Sequence, residues 1–227
     1  MIIQIYAFTR LADALAAVDL GVNHVGFVAG RYGLVYGELD FSEARSLVEG
    51  LPVHAVSVAL TMATEVDEIV RMAYAVKPHI VHISTDPLDV DETAMRTLRQ
   101  RLPETIRLMK AIPVAGEESL ELALRFAPYS DFLLLDTKIR GFPGVGATGH
   151  THDWQLSRRV VEAVNVPVIL AGGLSAENVA QAIQQVRPYG VDSNTHTNRP
   201  GSPVEKDLQR IAAFVQAVRR AIQEERG

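Results

Sequence analysis

The chain has 227 residues, 48% of them hydrophobic, and a formal net charge of −5 with acidic and basic residues interspersed. That length supports one well-buried core and falls short of two ordinary domains, and the mixed charges supply no single-sign field for nucleic acid or an anionic membrane. With no cysteine in the sequence, disulfides, thiolate metal sites and a cysteine nucleophile are excluded.

From the N-terminus onward, the opening MIIQIYAFTR has neither the basic nor the apolar region of a signal peptide. No apolar run approaches the roughly 20 residues that span a bilayer, so a soluble, cytoplasmic protein is expected. Short β-branched runs then alternate with segments of helical period. Strands are expected over residues 2–6, 24–28, 54–59, 80–84, 107–112, 132–136, 167–170 and 191–193. Helices are expected over 11–20, 42–48, 65–76, 91–100, 117–126, 156–164, 176–185 and 205–224, with the hydroxyls of Ser42 and Ser175 accepting the first N–H groups of their helices. Strand followed by helix throughout predicts one closed parallel (β/α)8 barrel over residues 1–227.

In such a barrel the site lies where the strands end, and the opposite rim serves stability. His24, His54 and His79 open their strands and belong to the stability rim, whereas His82, His150, His152 and His196 fall on the functional rim. Leu170-Ala171-Gly172-Gly173-Leu174-Ser175 closes the seventh strand and enters a helix. Paired glycines let backbone N–H groups approach an anion, and barrel phosphate sites recur after strands seven and eight. The run of three glycines and two threonines over residues 144–151 reads as a loop able to close over a ligand.

With these pieces in order, the chain resembles the phosphoribosylanthranilate isomerase family, the tryptophan-pathway barrel. His24-Val25-Gly26-Phe27-Val28 is similar to the family's second strand, Lys110-Ala111-Ile112 to its fifth and Leu133-Leu134-Leu135-Asp136 to its sixth. Gly146-Ala147-Thr148-Gly149 before Asp153-Trp154 is similar to GGTG-x-x-FDW, and Leu170 through Leu174 with Glu177-Asn178-Val179 to LAGGL-x-x-ENV. Gly190-Val191-Asp192 and Lys206-Asp207 are similar to its GVD and KD marks. The resemblance implies an Amadori rearrangement in which Asp136 protonates a furanose ring oxygen. It implies phosphate binding by Thr148, Gly149, Gly172, Gly173, Asn194 and Thr195, and no cofactor or resident metal.

The departures fall at the reacting end and in the loop after strand eight. KICGLT becomes Gln4-Ile5-Tyr6-Ala7-Phe8-Thr9, which puts Tyr6 at the position of the family's cysteine base. A phenol with an ordinary pKa near about 10 is a poor base at neutral pH. QLHG becomes His82-Ile83-Ser84-Thr85, and strand alternation puts His82 and Ser84 on one face, with His82 a candidate substitute base. The arginine that helps hold the anthranilate ring is matched by Val35, with Arg31 displaced as the nearest cation, and the serine-glycine loop after strand eight becomes Asn194-Thr195-His196. Three readings stay open: an isomerase on a phosphorylated sugar with Asp136, His82 and Tyr6 in its chemistry; a metal-dependent enzyme using His82, His196 and Asp136 with His150 or His152; and a non-catalytic binder of a phosphorylated metabolite. The partner expected in each is a phosphorylated small molecule, with monomer and homodimer both compatible with the sequence.

Overall fold

Parallel strands covered on one face by helices and on the other by their own barrel have no solvated side, so they must be apolar nearly throughout. The strands of this chain meet that condition. A computed structural model describes residues 1–138, 145 and 151–224. Its strands are β1 (Ile2–Ile5), β2 (His24–Ala29), β3 (Glu38–Leu39), β4 (Val56–Thr61), β5 (Ile80–Ile83), β6 (Arg107–Val114), β7 (Phe132–Thr137), β8 (Val168–Leu170) and β9 (Gly190–Ser193). All pair in parallel in the order β1-β9-β8-β7-β6-β5-β4-β2, and a β1–β2 pairing closes the ring, while the two residues of β3 extend the outer end of β2. The expected (β/α)8 barrel is the observed one.

Alternation along each strand divides the buried side chains into two sets. Tyr6, Val28, Val58, Ile80, Met109, Phe132, Leu134 and Ile169 form one cluster inside the barrel. Ile5, Phe27, Ile83, Leu108, Ile112, Leu135 and Leu170 belong to the other, packed beneath the helices. Those helices are α1 (Leu11–Leu20), α2 (Phe41–Gly50), α3 (Val66–Val76), α4 (Glu92–Arg101), α5 (Glu118–Phe126), α6 (Trp154–Ala163), α7 (Val179–Val186) and α8 (Leu208–Glu224). Each lays an apolar stripe on the ring, as α3 does with Ile69, Met72, Ala73 and Val76. A fully buried side chain of this size contributes about 1.5–3 kcal/mol relative to its exposed state. Among the described residues, no helix is long and apolar enough to cross a membrane.

Several boundaries differ from expectation for local reasons. Helix α2 is capped by Asp40 and not by Ser42: the Asp40 carboxylate accepts from the Glu43 N–H while the Glu43 side chain accepts from the Asp40 N–H, a reciprocal capping box. Helix α7 starts at Val179, because Asn178 closes a turn first, accepting from the Ser175 N–H at 2.8 Å and donating to the Gly173 carbonyl at 3.0 Å. Ser175 still accepts from the Glu177 N–H at 3.3 Å. Helix α8 begins at Leu208, after Asp207 accepts from the Gln209 and Arg210 N–H groups. Strand β4 starts at Val56, which leaves His54 in an exposed turn, and His79 sits just ahead of β5, where its Nδ1 accepts from the Ser57 N–H at 3.0 Å.

Candidate active site

At the C-terminal ends of the strands the inward side chains stop filling space and leave a cavity of about 250 Å³. Its walls come from residues far apart in sequence that ring closure brings together: Tyr6 after β1, His82 and Ser84 at β5, Asp136 on β7, Asp192 on β9 and Asn194 beyond it. Val28, Val35, Leu60, Met62, Leu134 and Val145 make the rest of the lining largely apolar. Of the expected site residues, Tyr6, His82, Asp136, Asn194 and Thr195 share this cavity.

Tyr6 is buried, and its ring lies over β2 where Gly26 stands: a Cβ there would come within 2.4 Å of the ring. Its hydroxyl and His82 Nδ1 are 2.9 Å apart. Burial, and then the charge of Asp192, raise the Tyr6 phenol well above its ordinary pKa, so it keeps its proton, and the imidazole tautomer sets which of the two groups donates. Burial, and then the charge of Lys110, lower His82 to about 3, which leaves it neutral. Its Nε2 is buried without a hydrogen-bond partner, a state that costs about 1–3 kcal/mol and is tolerated where a site needs the group.

Two carboxyls face these rings. Asp136 ends the inner face of β7, accepts from the Thr137 N–H at 2.7 Å, and is raised to about 7, burial outweighing that bond. Asp192 is held across the β1–β9 register by Gln4, whose amide donates to it at 3.1 Å and whose carbonyl oxygen lies 3.2 Å from His24 Nδ1. Burial, and then the charge of Asp136, raise Asp192 to about 8, against the pull of the Gln4 donor and the Lys206 cation. The buried Lys206 ammonium donates to the Tyr6 carbonyl, to Asn198 Oδ1 at 2.5 Å and to Asn194 Oδ1 at 3.2 Å, and so fastens β1 to the segment after β9. Paired carboxyls with raised pKa values in one cavity are equipped for proton transfer.

Val145 and a glycine turn follow β7 and β8. Ser84 Oγ donates to the Val145 carbonyl at 3.0 Å and the Val145 N–H donates to the Ser84 carbonyl at 2.9 Å, which fixes Val145 in the cavity wall. Thr148, Gly149 and His150 lie outside the described residues. Gly172 and Gly173 take φ of 81° and 61°, the left-handed region open to glycine. A Cβ at Gly172 would also stand 2.7 Å from both His152 Nδ1 and Thr137 Oγ1. The glycine pair is outside the cavity lining, and Ser193 Oγ ties its turn to β9 by donating to the Leu174 carbonyl at 2.7 Å.

Arg31 is also outside the lining. It is exposed and paired with Glu43 at 2.6 Å. The cause is the course of the loop, which the Glu38 carboxylate gathers by accepting from the N–H groups of Gly33, Leu34 and Val35, leaving Val35 and Tyr36 toward the cavity. The metal reading finds no assembled ligands among the described residues: no three His, Asp or Glu groups converge. His152 has both ring nitrogens engaged, Nδ1 with Thr137 Oγ1 at 3.1 Å and Nε2 with Ser157 Oγ at 2.8 Å. Sequence reasoning missed Asp192 as a site residue, although its place at a strand end, two positions beyond inward Gly190, was the available signal.

Three comparisons bear on this geometry. The family model described as N-(5'-phosphoribosyl)anthranilate (PRA) isomerase matches residues 3–217. The chain is 33% identical over 215 residues to N-(5'-phosphoribosyl)anthranilate isomerase 2 of Methanosarcina mazei, covering 95% of this chain and 92% of that protein. It is 35% identical over 221 residues to the N-(5'-phosphoribosyl)anthranilate isomerase of Pseudomonas fluorescens, covering 95% and 97%. Among solved structures, phosphoribosyl anthranilate isomerase from Thermotoga maritima superposes with a TM-score of 0.80 at 29% identity, covering 97% of this chain and all 100% of that one. A phosphoribosyl anthranilate isomerase in complex with reduced 1-(o-carboxyphenylamino)-1-deoxyribulose 5-phosphate superposes at 0.78 with 27% identity, covering 97% and 100%.

Proposed function

The chain belongs to the N-(5'-phosphoribosyl)anthranilate (PRA) isomerase family, and from that premise we propose that it rearranges a phosphorylated ribosylamine to the corresponding amino ketose. The observation that carries this reading is Asp136, a carboxyl at the end of an inner strand whose pKa burial raises to about 7. Protonating a furanose ring oxygen calls for an acid that still holds its proton near neutral pH. Asp136 gives that proton, the C1–O bond opens, and the nitrogen lone pair forms the iminium. Loss of the C2 proton then yields the enolamine, which relaxes to the ketose.

The anchor is the phosphate. Gly172 and Gly173 after β8 offer backbone N–H groups ahead of α7, and Asn194 and Thr195 line the cavity after β9. The family resemblance adds Thr148 and Gly149 from the sequence after β7. Tyr6 and His82 form the wall against which the opened sugar lies.

The test is turnover of the amine adducts of ribose 5-phosphate, read as ketose formed. The parent chain is expected to convert at least one adduct, and Asp136→Asn to lose about 10²–10⁴-fold in kcat with KM little changed. A parent chain that binds ribose 5-phosphate and forms no ketose from any adduct would be a binding protein, and the isomerase reading would be abandoned.

A further inference from the structure

We propose that Asp192 is the general base of this site and removes the C2 proton of the sugar. The inference rests on the isomerase reading and adds to it the group that the loss of the family's cysteine leaves open.

The rings at the reacting end are poor candidates. Tyr6 is buried, and its hydroxyl is committed to His82 Nδ1 at 2.9 Å. That bond occupies one His82 nitrogen, and the other, Nε2, is shut away from solvent without a partner. When Nδ1 accepts from the tyrosine, Nε2 carries the proton; in the other tautomer the lone pair is on Nε2, which is buried. In neither tautomer does the ring present an exposed lone pair to the sugar.

Asp192 differs on each point. It lines the same cavity as Asp136, from the strand that pairs with β1. One of its oxygens is fixed by the Gln4 amide at 3.1 Å, which leaves the other available to substrate and holds the carboxylate in one orientation. Gln4 is itself fixed by His24, so the orientation is supported from the stable rim of the barrel. The Lys206 cation lies on the Asp192 side of the site. Burial sets both carboxyls near neutral pH, Asp136 at about 7 and Asp192 at about 8, so the coupled pair carries one negative charge there. In the reactive microstate that charge sits on Asp192, where the Gln4 amide donates to it, and the proton sits on Asp136.

The steps balance with no further reactant. Asp136 transfers its proton to the ring oxygen as C1–O breaks and C1=N⁺ forms. Asp192 takes the C2 proton, the C–H electrons become the C1=C2 bond, and the nitrogen recovers its lone pair. Asp192 then returns its proton to C1 while the C2 hydroxyl gives its proton back to Asp136, producing the C2 ketone and the starting ionisation of both carboxyls.

The experiment follows isomerisation and C2 proton exchange in deuterated water. The probes are N-(5-phosphoribosyl)anthranilate and the aniline adduct of ribose 5-phosphate, with the full chain. Asp192→Asn is expected to lose about 10²–10⁴-fold in exchange. Asp192→Ala should lose as much and regain part of it with added formate, a rescue that a purely structural role would not give. Tyr6→Phe should keep exchange above about a tenth of the parent rate, since the phenol is not the base. Exchange undiminished in Asp192→Asn, or lost in Tyr6→Phe to the same extent as in Asp192→Asn, would overturn the assignment while leaving the isomerase reading intact. If the parent chain exchanges and isomerises neither adduct, the isomerase reading fails and the assignment falls with it.

Discussion

The two ends of the site are built from different parts of the protein. The proposed phosphate end is backbone: Gly172 and Gly173 at left-handed φ, a turn closed by Asn178, and a tie from Ser193. The reacting end is side chains, with Tyr6, His82, Asp136 and Asp192 gathered from strands spread round the ring. A backbone cradle depends on conformation and on the absence of a Cβ, so few substitutions improve it and most destroy it. A wall of side chains can be exchanged one group at a time. The contrast teaches how a barrel can keep its glycine turn while its side chains are rebuilt: Tyr6, His82 and Ser84 depart from the family motifs at the second end, and Asn194-Thr195-His196 departs after strand eight.

The comparison is most exposed at the cradle. Gly172→Val places a side chain where a Cβ already meets His152 and Thr137 at 2.7 Å. Affinity for ribose 5-phosphate, measured by calorimetry, should fall at least about tenfold, or 1.4 kcal/mol. Gly201 has the same φ of 81° with nothing within 4 Å of its Cβ position. Gly201→Ala should therefore cost about 1 kcal/mol of stability through backbone strain without that loss of affinity. Equal losses in the two variants would reduce the cradle to an ordinary turn.

A smaller effect sharpens the reacting end. Asp192 is surrounded by Gln4, Asp136, Tyr6 and Lys206, and its pKa rises from 3.8 to about 8, by burial first and the Asp136 charge second. A carboxyl raised in the folded state holds a proton that the unfolded chain has already released, so it destabilises the fold progressively as pH rises between those two values. Asp192→Asn should gain on the parent chain from pH 4 to pH 8, by at most about 1.4 kcal/mol per pH unit. Melting curves of both proteins across that range check it, and a constant difference would mean that Asp192 ionises as an ordinary surface carboxyl.

The smallest effect belongs to Arg31. Its exposed pair with Glu43 falls among surface ion pairs that contribute about 0–1 kcal/mol. Arg31→Ala should change turnover of either ribose 5-phosphate adduct by less than about twofold, and a clear rise in KM for the anthranilate adduct alone would return Arg31 to the site.

Most of the barrel was legible because its signal is local. Apolar strands between amphipathic helices appear in any short window, and the shared face of His82 and Ser84 follows from alternation within a single strand. The two residues of β3 carry no periodicity, and the capping of α2 by Asp40 competes with a neighbouring serine that looks equally suitable. Asp192 illustrates the larger limit. Its importance comes from ring closure, which sets Gln4 opposite it and Asp136 near it, and that juxtaposition exists only once the barrel has closed. The placement of Arg31 depended likewise on Glu38 gathering the loop, a contact between a carboxylate and backbone N–H groups that no motif records.

The central claim is that one ligand spans both ends, anchored by the glycine turn and reacting between the carboxyls. A crystal structure of the protein with reduced 1-(o-carboxyphenylamino)-1-deoxyribulose 5-phosphate tests it most directly. The account predicts the phosphate against Gly172, Gly173 and Thr195, and the ribulose carbons between Asp136 and Asp192 with Tyr6 alongside. A phosphate bound elsewhere, or a sugar chain that leaves both carboxyls out of hydrogen-bond reach, would contradict it.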